Sequence, residues 1–400
     1  MAHTVNENLL PKIRGFGAFD INACFQCGNC TAVCPLAEES AGFPRRVIRL
    51  AQIGWEKKLL SARELWLCYA CGECTLTCPR KADPAQFMAA ARRFATSRYD
   101  RTGLARFSFG SAVGNLALFA TLSAVFASLL LSRSKEIVTS HPAFFEFIPG
   151  AWIHDIGVAL IFLIGLAMVS GVASQILHFR RDRRERSGLA PLAWTDLPRA
   201  VAGGLYDALA HVRYRRCAKQ QESTPGAVKA TGWRAKLREP WAIHAAIFWG
   251  FLGLLAATTL DYLFKPIGSY VPPWYPIRLL GTVSGLVCLS GLWMAFQRRC
   301  RGESAPPASV FSDWFFLLLL AAAVVTGLAA EIVVYLPRGS AAGVAIFVTH
   351  VVLAMDLIVM LPLSKFAHAV YRPVALVLDE WERLSAARGT AESAVARKAA

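Results

Sequence analysis

Two cysteine runs of identical spacing constrain this chain more than any other feature. Cys24, Cys27, Cys30 and Cys34 lead into Pro35, and the same C-x2-C-x2-C-x3-C-P run returns as Cys68, Cys71, Cys74, Cys78 and Pro79. Three thiolates two residues apart can wrap three corners of one iron-sulfur cubane. The fourth cysteine, leading into a proline that turns the chain away, reaches a neighbouring cubane. This reading assigns Cys24, Cys27, Cys30 and Cys78 to one 4Fe-4S cluster, and Cys68, Cys71, Cys74 and Cys34 to a second. Gly28 and Gly72 follow the second cysteine of each run, where the backbone must approach the inorganic core without a side chain in the way. Zinc needs only four thiolates per site and would show paired C-x2-C motifs without the Cys-Pro ending. Eight of the eleven cysteines lie in these runs, so no disulfide framework is expected and a reducing compartment is implied.

The interval between the runs carries Val47, Ile48, Leu50, Ala51 and Ile53 within a helix-like stretch from Arg45 to Trp55. That pattern favours an alpha-helical two-cluster ferredoxin domain, over residues 1–105, rather than a compact β-containing one. Met1 to Arg14 has no apolar h-region or small-residue cleavage site, so no secretory signal is expected there.

Beyond residue 105 the composition changes abruptly. Apolar runs at 108–132, 151–178, 241–264, 279–297, 314–335 and 343–363 are long enough to cross a bilayer core of about 30 Å, which takes roughly 20 helical residues. The fold expected is all-α, with the ferredoxin domain followed by a six-helix transmembrane haem-b bundle over 106–375 and a cytoplasmic tail over 376–400, mobile or weakly helical after Arg383. The net charge of +16 would suggest nucleic acid in a soluble protein. Here the arginines flank the apolar runs instead, so no nucleic-acid partner is expected. Arg92, Arg93, Arg98, Arg101 and Arg106 precede the first span, Arg180, Arg181, Arg183, Arg184 and Arg186 follow the second, Arg298, Arg299 and Arg301 the fourth, and Lys365 and Arg372 the sixth. The alternate loops hold only Arg133 and Lys135, Lys265 and Arg278, and Arg338. By the positive-inside rule both termini and the segment 179–240, with its Ser-Thr-Pro-Gly stretch at 223–226, face the cytoplasm of an inner membrane.

Polar rings in lipid need partners, which makes His154, His178, His244, His350 and His368 the candidate functional residues of the membrane half. His350 and His368 are eighteen residues apart, five whole helical turns, so both rings are expected on one stripe near opposite membrane surfaces. Each could then ligate one of two stacked haems, His350 with His154 on the outer side and His368 with His244 on the cytoplasmic side, with His178 an alternative to His244. Interfacial histidines bonded to water or headgroups are the plainer reading. His3, His141 and His211 are expected at the surface, and Cys217, Cys288 and Cys300 as free thiols. Asp356 and Glu331 sit inside spans, where they could move protons or bond a neighbouring helix.

The stretches FQCGNCTAVCP, from Phe25, and LWLCYACGECTLTCPR, from Leu65, resemble the C-type iron-sulfur subunit of heterodisulfide reductases. The remainder resembles the haem-b membrane subunits of that family and of respiratory nitrate reductase, with the segment from His350 through PLSKFAHAVYRP similar to their last haem-ligating helix. A fusion of the two parts is the layout of the C-type membrane subunit in quinone-interacting membrane-bound oxidoreductase complexes. One departure is that nitrate-reductase-type subunits carry two histidines on the helix matching the third span, where this chain has only His244. The resemblance implies electron exchange between membrane quinone and two cytoplasmic heterodisulfide reductase A-like flavin/iron-sulfur subunits, through one or two haem b groups and the clusters. It also implies a link to adenylylsulfate reductase in sulfur metabolism. The quinone site would lie near His178, Lys365 and His368, or near His154.

No G-x-G-x-x-G fingerprint or nucleophile constellation marks a complete enzyme, so catalytic groups would sit in partner subunits. A haem-free anchor for the cluster domain, a membrane subunit of another heterodisulfide-reductase-like complex, and a transporter are the alternatives. The last lacks paired broken helices.

Overall fold

The computed structural model describes residues 5–17, 21–38, 40, 42–134, 147–186, 189–222, 232–264, 271–302, 309–335 and 341–399. His3, His141, Lys135, Lys265, Arg338 and the stretch 223–226 lie outside them. Among the described residues every regular element is helical, as the sequence predicts.

In the N-terminal domain the stretch after Pro44 forms a helix, Arg45–Gln52, that buries Val47, Ile48, Leu50 and Ala51. Ile53 falls beyond its end and is exposed. Each cysteine run contains one short helix, α1 (Asn29–Ala32) and α2 (Glu73–Leu76), and these two pack together. The longer α3 (Pro84–Tyr99) starts where Asp83 accepts from the Gln86 backbone N–H at 3.2 Å, an N-cap that satisfies an otherwise orphaned donor. Its Phe87, Met88 and Phe94 join Ile48, Leu65 and Trp66 in one core.

The membrane half comprises α4 (Ala112–Leu131), α5 (Gly150–Glu185), α6 (Leu197–Ala210), α7 (Val212–Glu222), α8 (Pro240–Phe264), α9 (Pro276–Cys300), α10 (Phe311–Val334), α11 (Ala341–Val359) and α12 (His368–Ala399). Six of these, α4, α5 and α8 to α11, are long and apolar enough to cross a bilayer, which makes this a membrane protein. The α8–α9 pair approaches closely at Gly250, where a Cβ would stand 2.6 Å from the Cys288 backbone nitrogen. The 36 residues of α5 extend about 54 Å, well past the bilayer core, and its far end reaches the N-terminal domain through an Asp182–Lys58 ion pair.

Two expectations require correction. The sixth span is not one helix through His350 and His368. It ends at Val359, a turn follows, and α12 begins at His368 after a short 3-10 turn, Lys365–Ala367. Pro362 lacks the N–H that a continuing helix would need and disfavours helical geometry at Leu361. Ser364 then starts the new turn by accepting from Phe366 N–H at 3.2 Å. The C-terminal segment is also not a separate tail, because α12 runs unbroken across residue 375 and packs along α6.

The N-terminal domain seats on α12, α5 and α10. Arg63 and Arg213 both pair with Asp379, each at 2.7 Å. Arg93 reaches Asp313 at 3.5 Å, and Trp66 lies 5.0 Å from Tyr371. The cluster domain, the α6–α7 segment and the C-terminal helix therefore share one end of the bundle.

Candidate electron-transfer site

The two cysteine runs fold alike. Gln26 and Gly28 adopt positive φ in the first (66° and 93°), and Ala70 and Gly72 in the second (52° and 93°). These left-handed residues aim successive thiols to one side of the loop. The Ala70 N–H donates to Cys68 Sγ at 3.3 Å and the Ala82 N–H to Cys78 Sγ at 3.4 Å.

The thiols also sense one another in two sets. Burial pushes the Cys30 thiol up, and Cys24, Cys27 and Cys78 add to it. Burial lifts Cys34 to about 12, with Cys68 and Cys71 adding. Cys74 is raised by burial and then by Cys68, Cys71, Cys34 and Cys30. The neighbours of Cys30 and of Cys34 thus include the fourth cysteine or the leading cysteines of the opposite run. Buried thiols that repel one another as thiolates are a donor set that cationic iron relieves, so these residues fit 4Fe-4S clusters.

From the second quartet an aromatic line leads to the membrane. Tyr69 follows Cys68 and stacks on Tyr214 of α7 with centroids 4.6 Å apart. Tyr214 lies 5.8 Å from the His244 ring, and His244 lies 6.0 Å from His368. Arg372, one turn after His368, donates to Trp66 O at 2.8 Å and Cys68 O at 2.6 Å. Its guanidinium sits 4.1 Å over the Tyr69 ring.

The histidines have defined tautomers where a ring nitrogen meets a carbonyl, because a carbonyl can only accept. His368 Nδ1–H donates to Lys365 O at 2.6 Å. Burial, reinforced by Arg372 and Lys365, drives its pKa down to about 3, so the ring is neutral and its Nε2 lone pair is open. His350 Nδ1–H donates to Ala323 O at 3.0 Å. His211 Nδ1–H donates to Leu209 O at 3.0 Å, and burial holds this imidazole below its usual pKa. The neutral His211 therefore accepts at Nε2 from His244 Nδ1–H, 2.8 Å away, and leaves His244 Nε2 open as well.

The His244 and His368 rings, 6.0 Å apart with neither Nε2 engaged, are the pair of imidazole donors that would fit a haem iron. His178 is not brought to His368. Its Nδ1–H donates to Ser174 O at 2.7 Å, and its ring faces Tyr99 of the N-terminal domain at 5.8 Å. His154 and His350 are not brought together either. His154 packs on Tyr262 of α8 at 4.6 Å, whereas His350 turns onto α10. The break after Val359 removes the shared stripe that would have aligned them with His368.

His211, expected at the surface, is buried at the α6–α7 junction with φ 54°, and its sequence position between a largely apolar helix and an Arg-rich one carries no signal of this. Cys217 is also buried, and its thiol is raised by burial and then by Cys71, Cys68 and Cys34, which places it beside the second quartet. Asp356 is fully buried and accepts from Ser123 Oγ at 2.5 Å. Glu331 accepts from Thr282 at 2.8 Å. Both acids thus bond neighbouring helices.

Residues 20–82 match the family model described as 4Fe-4S dicluster domain, and residues 108–390 match the model described as Citrate utilization protein B. The chain is 32% identical over 63 residues to the C-type subunit of the H(2):CoB-CoM heterodisulfide,ferredoxin reductase of Methanothermobacter thermautotrophicus, covering 16% of this chain and 34% of that protein. It is 33% identical over 63 residues to the C-type iron-sulfur subunit of the CoB--CoM heterodisulfide reductase of Methanopyrus kandleri, covering 16% and 33%. The chain thus spans about a third of the length of these curated relatives. No solved structure matches it. The N-terminal domain is an iron-sulfur domain like that of the C-type heterodisulfide reductase subunits, and by the match over its membrane half the chain belongs to the citrate utilization protein B family.

Proposed function

We propose that this chain is the membrane electron-transfer subunit of an oxidoreductase, relaying electrons between soluble partner subunits and membrane quinone through two 4Fe-4S clusters and haem b. The observation that carries the reading is the unbroken contact series Cys68–Tyr69–Tyr214–His244–His368. It joins a cysteine quartet to a pair of neutral imidazoles at the membrane end. Cys24, Cys27, Cys30 and Cys78 hold one cluster, and Cys68, Cys71, Cys74 and Cys34 the other. His244 and His368 offer Nε2 to one haem, while His350, which turns onto α10 away from His154, is the remaining candidate residue for a second. Haem b, when bound, supplies a one-electron carrier whose potential follows its axial ligands and burial.

The chain's own residues supply the rest. Leu209 and Lys365 fix the histidine tautomers by accepting Nδ1 protons, the first through His211. Arg372 ties the Cys68 loop to the helix that begins at His368, which holds the quartet and the imidazole in one register. The Arg-rich loops at the end shared by the cluster domain and α12 support a cytoplasmic location for that end at an inner membrane, with quinone approaching from lipid near Lys365 and His368.

The resemblance at the cysteines favours two heterodisulfide reductase A-like flavin/iron-sulfur partners, with adenylylsulfate reductase as their sulfur-metabolism connection. A second reading replaces these with partners acting in citrate utilization, favoured by the match over 108–390. In either case the relay is the same. The test is a reduced-minus-oxidised visible spectrum with a pyridine haemochrome assay and iron and sulfide analysis on the purified protein and on His368→Ala. The variant should lose haem and keep its iron and sulfide. A wild-type protein with full iron and sulfide but no haem would sink the relay and leave the cluster domain on a passive anchor.

A further inference from the structure

The two cysteine runs are equivalent in sequence and backbone, yet their surroundings differ at one matched position. Tyr69 follows Cys68 and is covered by Tyr214. Phe25 follows Cys24 in the same place and is 60% exposed. Beside it stands Cys27, also exposed, and Leu76, 72% exposed, ends α2, the short helix that packs on α1 of the first run. One half of the domain is capped by an aromatic ring of this chain, and the other half has no such cap among the described residues.

The chain around the first run is basic. Arg45 lies over it, donating to Gln26 O at 3.5 Å. Arg80 and Lys81 are exposed just beyond α2, the helix that packs on α1, and Arg49 is exposed one turn from Arg45. None of the four has a carboxylate partner among the described residues. Exposed apolar groups at the centre, with unpaired charges of one sign around them, are the composition of a transient protein interface steered by charge.

We infer that the face formed by Phe25, Cys27 and Leu76, ringed by Arg45, Arg80 and Lys81, is the docking surface for a soluble redox protein with an acidic rim, which exchanges electrons with the first quartet. The inference rests on the relay reading and deepens it by giving the wire its outer terminal. Tyr69 and Tyr214 make the inner terminal, so electrons enter and leave at opposite quartets. Each transfer moves one electron. The partner's reduced cofactor is oxidised and the iron-sulfur group at the first quartet is reduced, no bond forms or breaks, and the reverse transfer balances the same way.

The test is stopped-flow reduction of the detergent-purified full chain, with its clusters and haem, by the hydroquinone of a small acidic flavodoxin, followed by cluster bleaching. The rate should fall as salt is added, since charges steer the encounter. Arg80→Glu with Lys81→Glu should slow it at least tenfold at low salt and abolish the salt dependence. Phe25→Ser should slow it severalfold at all salt concentrations. Lys12→Glu, on the exposed face of another helix, should leave it unchanged. Dithionite must bleach every variant to wild-type amplitude, which establishes that the clusters are intact. Wild-type rates in both the charge-reversed and the Phe25 variants would overturn the proposal, as would a wild-type protein that dithionite reduces and flavodoxin does not. Cluster bleaching that is never followed by haem reduction would sink the relay and leave the docking face standing.

Discussion

His211 Nε2 lies 2.8 Å from His244 Nδ1, and the direction of that bond is fixed because His211 already spends its own Nδ1–H on Leu209 O. A ring nitrogen that donates to a second imidazole makes the opposite nitrogen a stronger base, as outer partners of metal-bound histidines do. If His244 holds haem as proposed, His211→Ala should weaken haem retention by about 10- to 100-fold and raise the midpoint potential of the haem that remains. His211→Gln, whose carbonyl can accept the same proton, should restore both. A redox titration of the reduced-minus-oxidised spectrum distinguishes this from a merely structural role, which would change haem content without moving the potential.

Much of the architecture was legible from spacing and hydropathy. The cysteine runs announced two like loops packed as one domain, and six apolar runs announced six spans. The histidines were half legible. His244 and His368 could be matched by depth because each stands at a helix end on the Arg-rich side. Periodicity failed across Pro362, where the break discards the 100° register that linked His350 to His368. His211 was invisible because its burial depends on how α6 and α7 fold back onto α8, a tertiary relationship that local polarity does not encode. Tyr69 and Tyr214 were likewise ordinary aromatics until the fold stacked them.

Arg372 is the clamp between the domains, making two charge-assisted bonds to backbone carbonyls beside Cys68 and lying over Tyr69. Lysine cannot reproduce the planar fork or the stacking. Arg372→Lys should cost about 1.5–3 kcal/mol, the range of a hydrogen bond to a charged group. The second quartet should become the more labile of the two clusters. Electron paramagnetic resonance of the reduced protein, recorded before and after mild heating, would show one cluster signal decaying first. Equal decay of both signals would count against the clamp.

Glu64 links acid to domain stability. Burial works to raise its carboxyl, but Arg46 and the Ser40 hydroxyl, which donates to Oε1 at 2.6 Å, outweigh it and hold the group below the usual range. A carboxyl depressed in the fold contributes stability above its unfolded pKa of about 4.3, and that contribution is lost as pH falls through the folded value. Glu64→Gln should lower the melting temperature at pH 7 only modestly, because Arg46, its side chain 38% exposed, turns to water when the carboxylate is gone. The gap between variant and wild type should close as the pH drops below the usual carboxylate range. Circular dichroism melts across that window measure it, and a gap that stays constant with pH would refute the assignment.

Gly327 and His350 test whether the fifth and sixth spans are shaped around an imidazole. A Cβ at Gly327 would stand 2.8 Å from His350 Cε1 and 3.3 Å from Nδ1, so Gly327→Ala must push the ring off α10 and stretch its bond to Ala323 O. Alanine gains about 1 kcal/mol over glycine in helix propensity, while overpacking costs about 1–3 kcal/mol. The balance should be destabilising here. Gly165→Ala, on α5 where the new methyl meets nothing within 4 Å, receives the propensity gain alone and should be neutral or stabilising. If His350 also holds a haem, Gly327→Ala should lower the haem-to-iron ratio and Gly165→Ala should not. Equal thermal stability and haem content in the two variants would mean that the ring does not depend on the glycine beneath it.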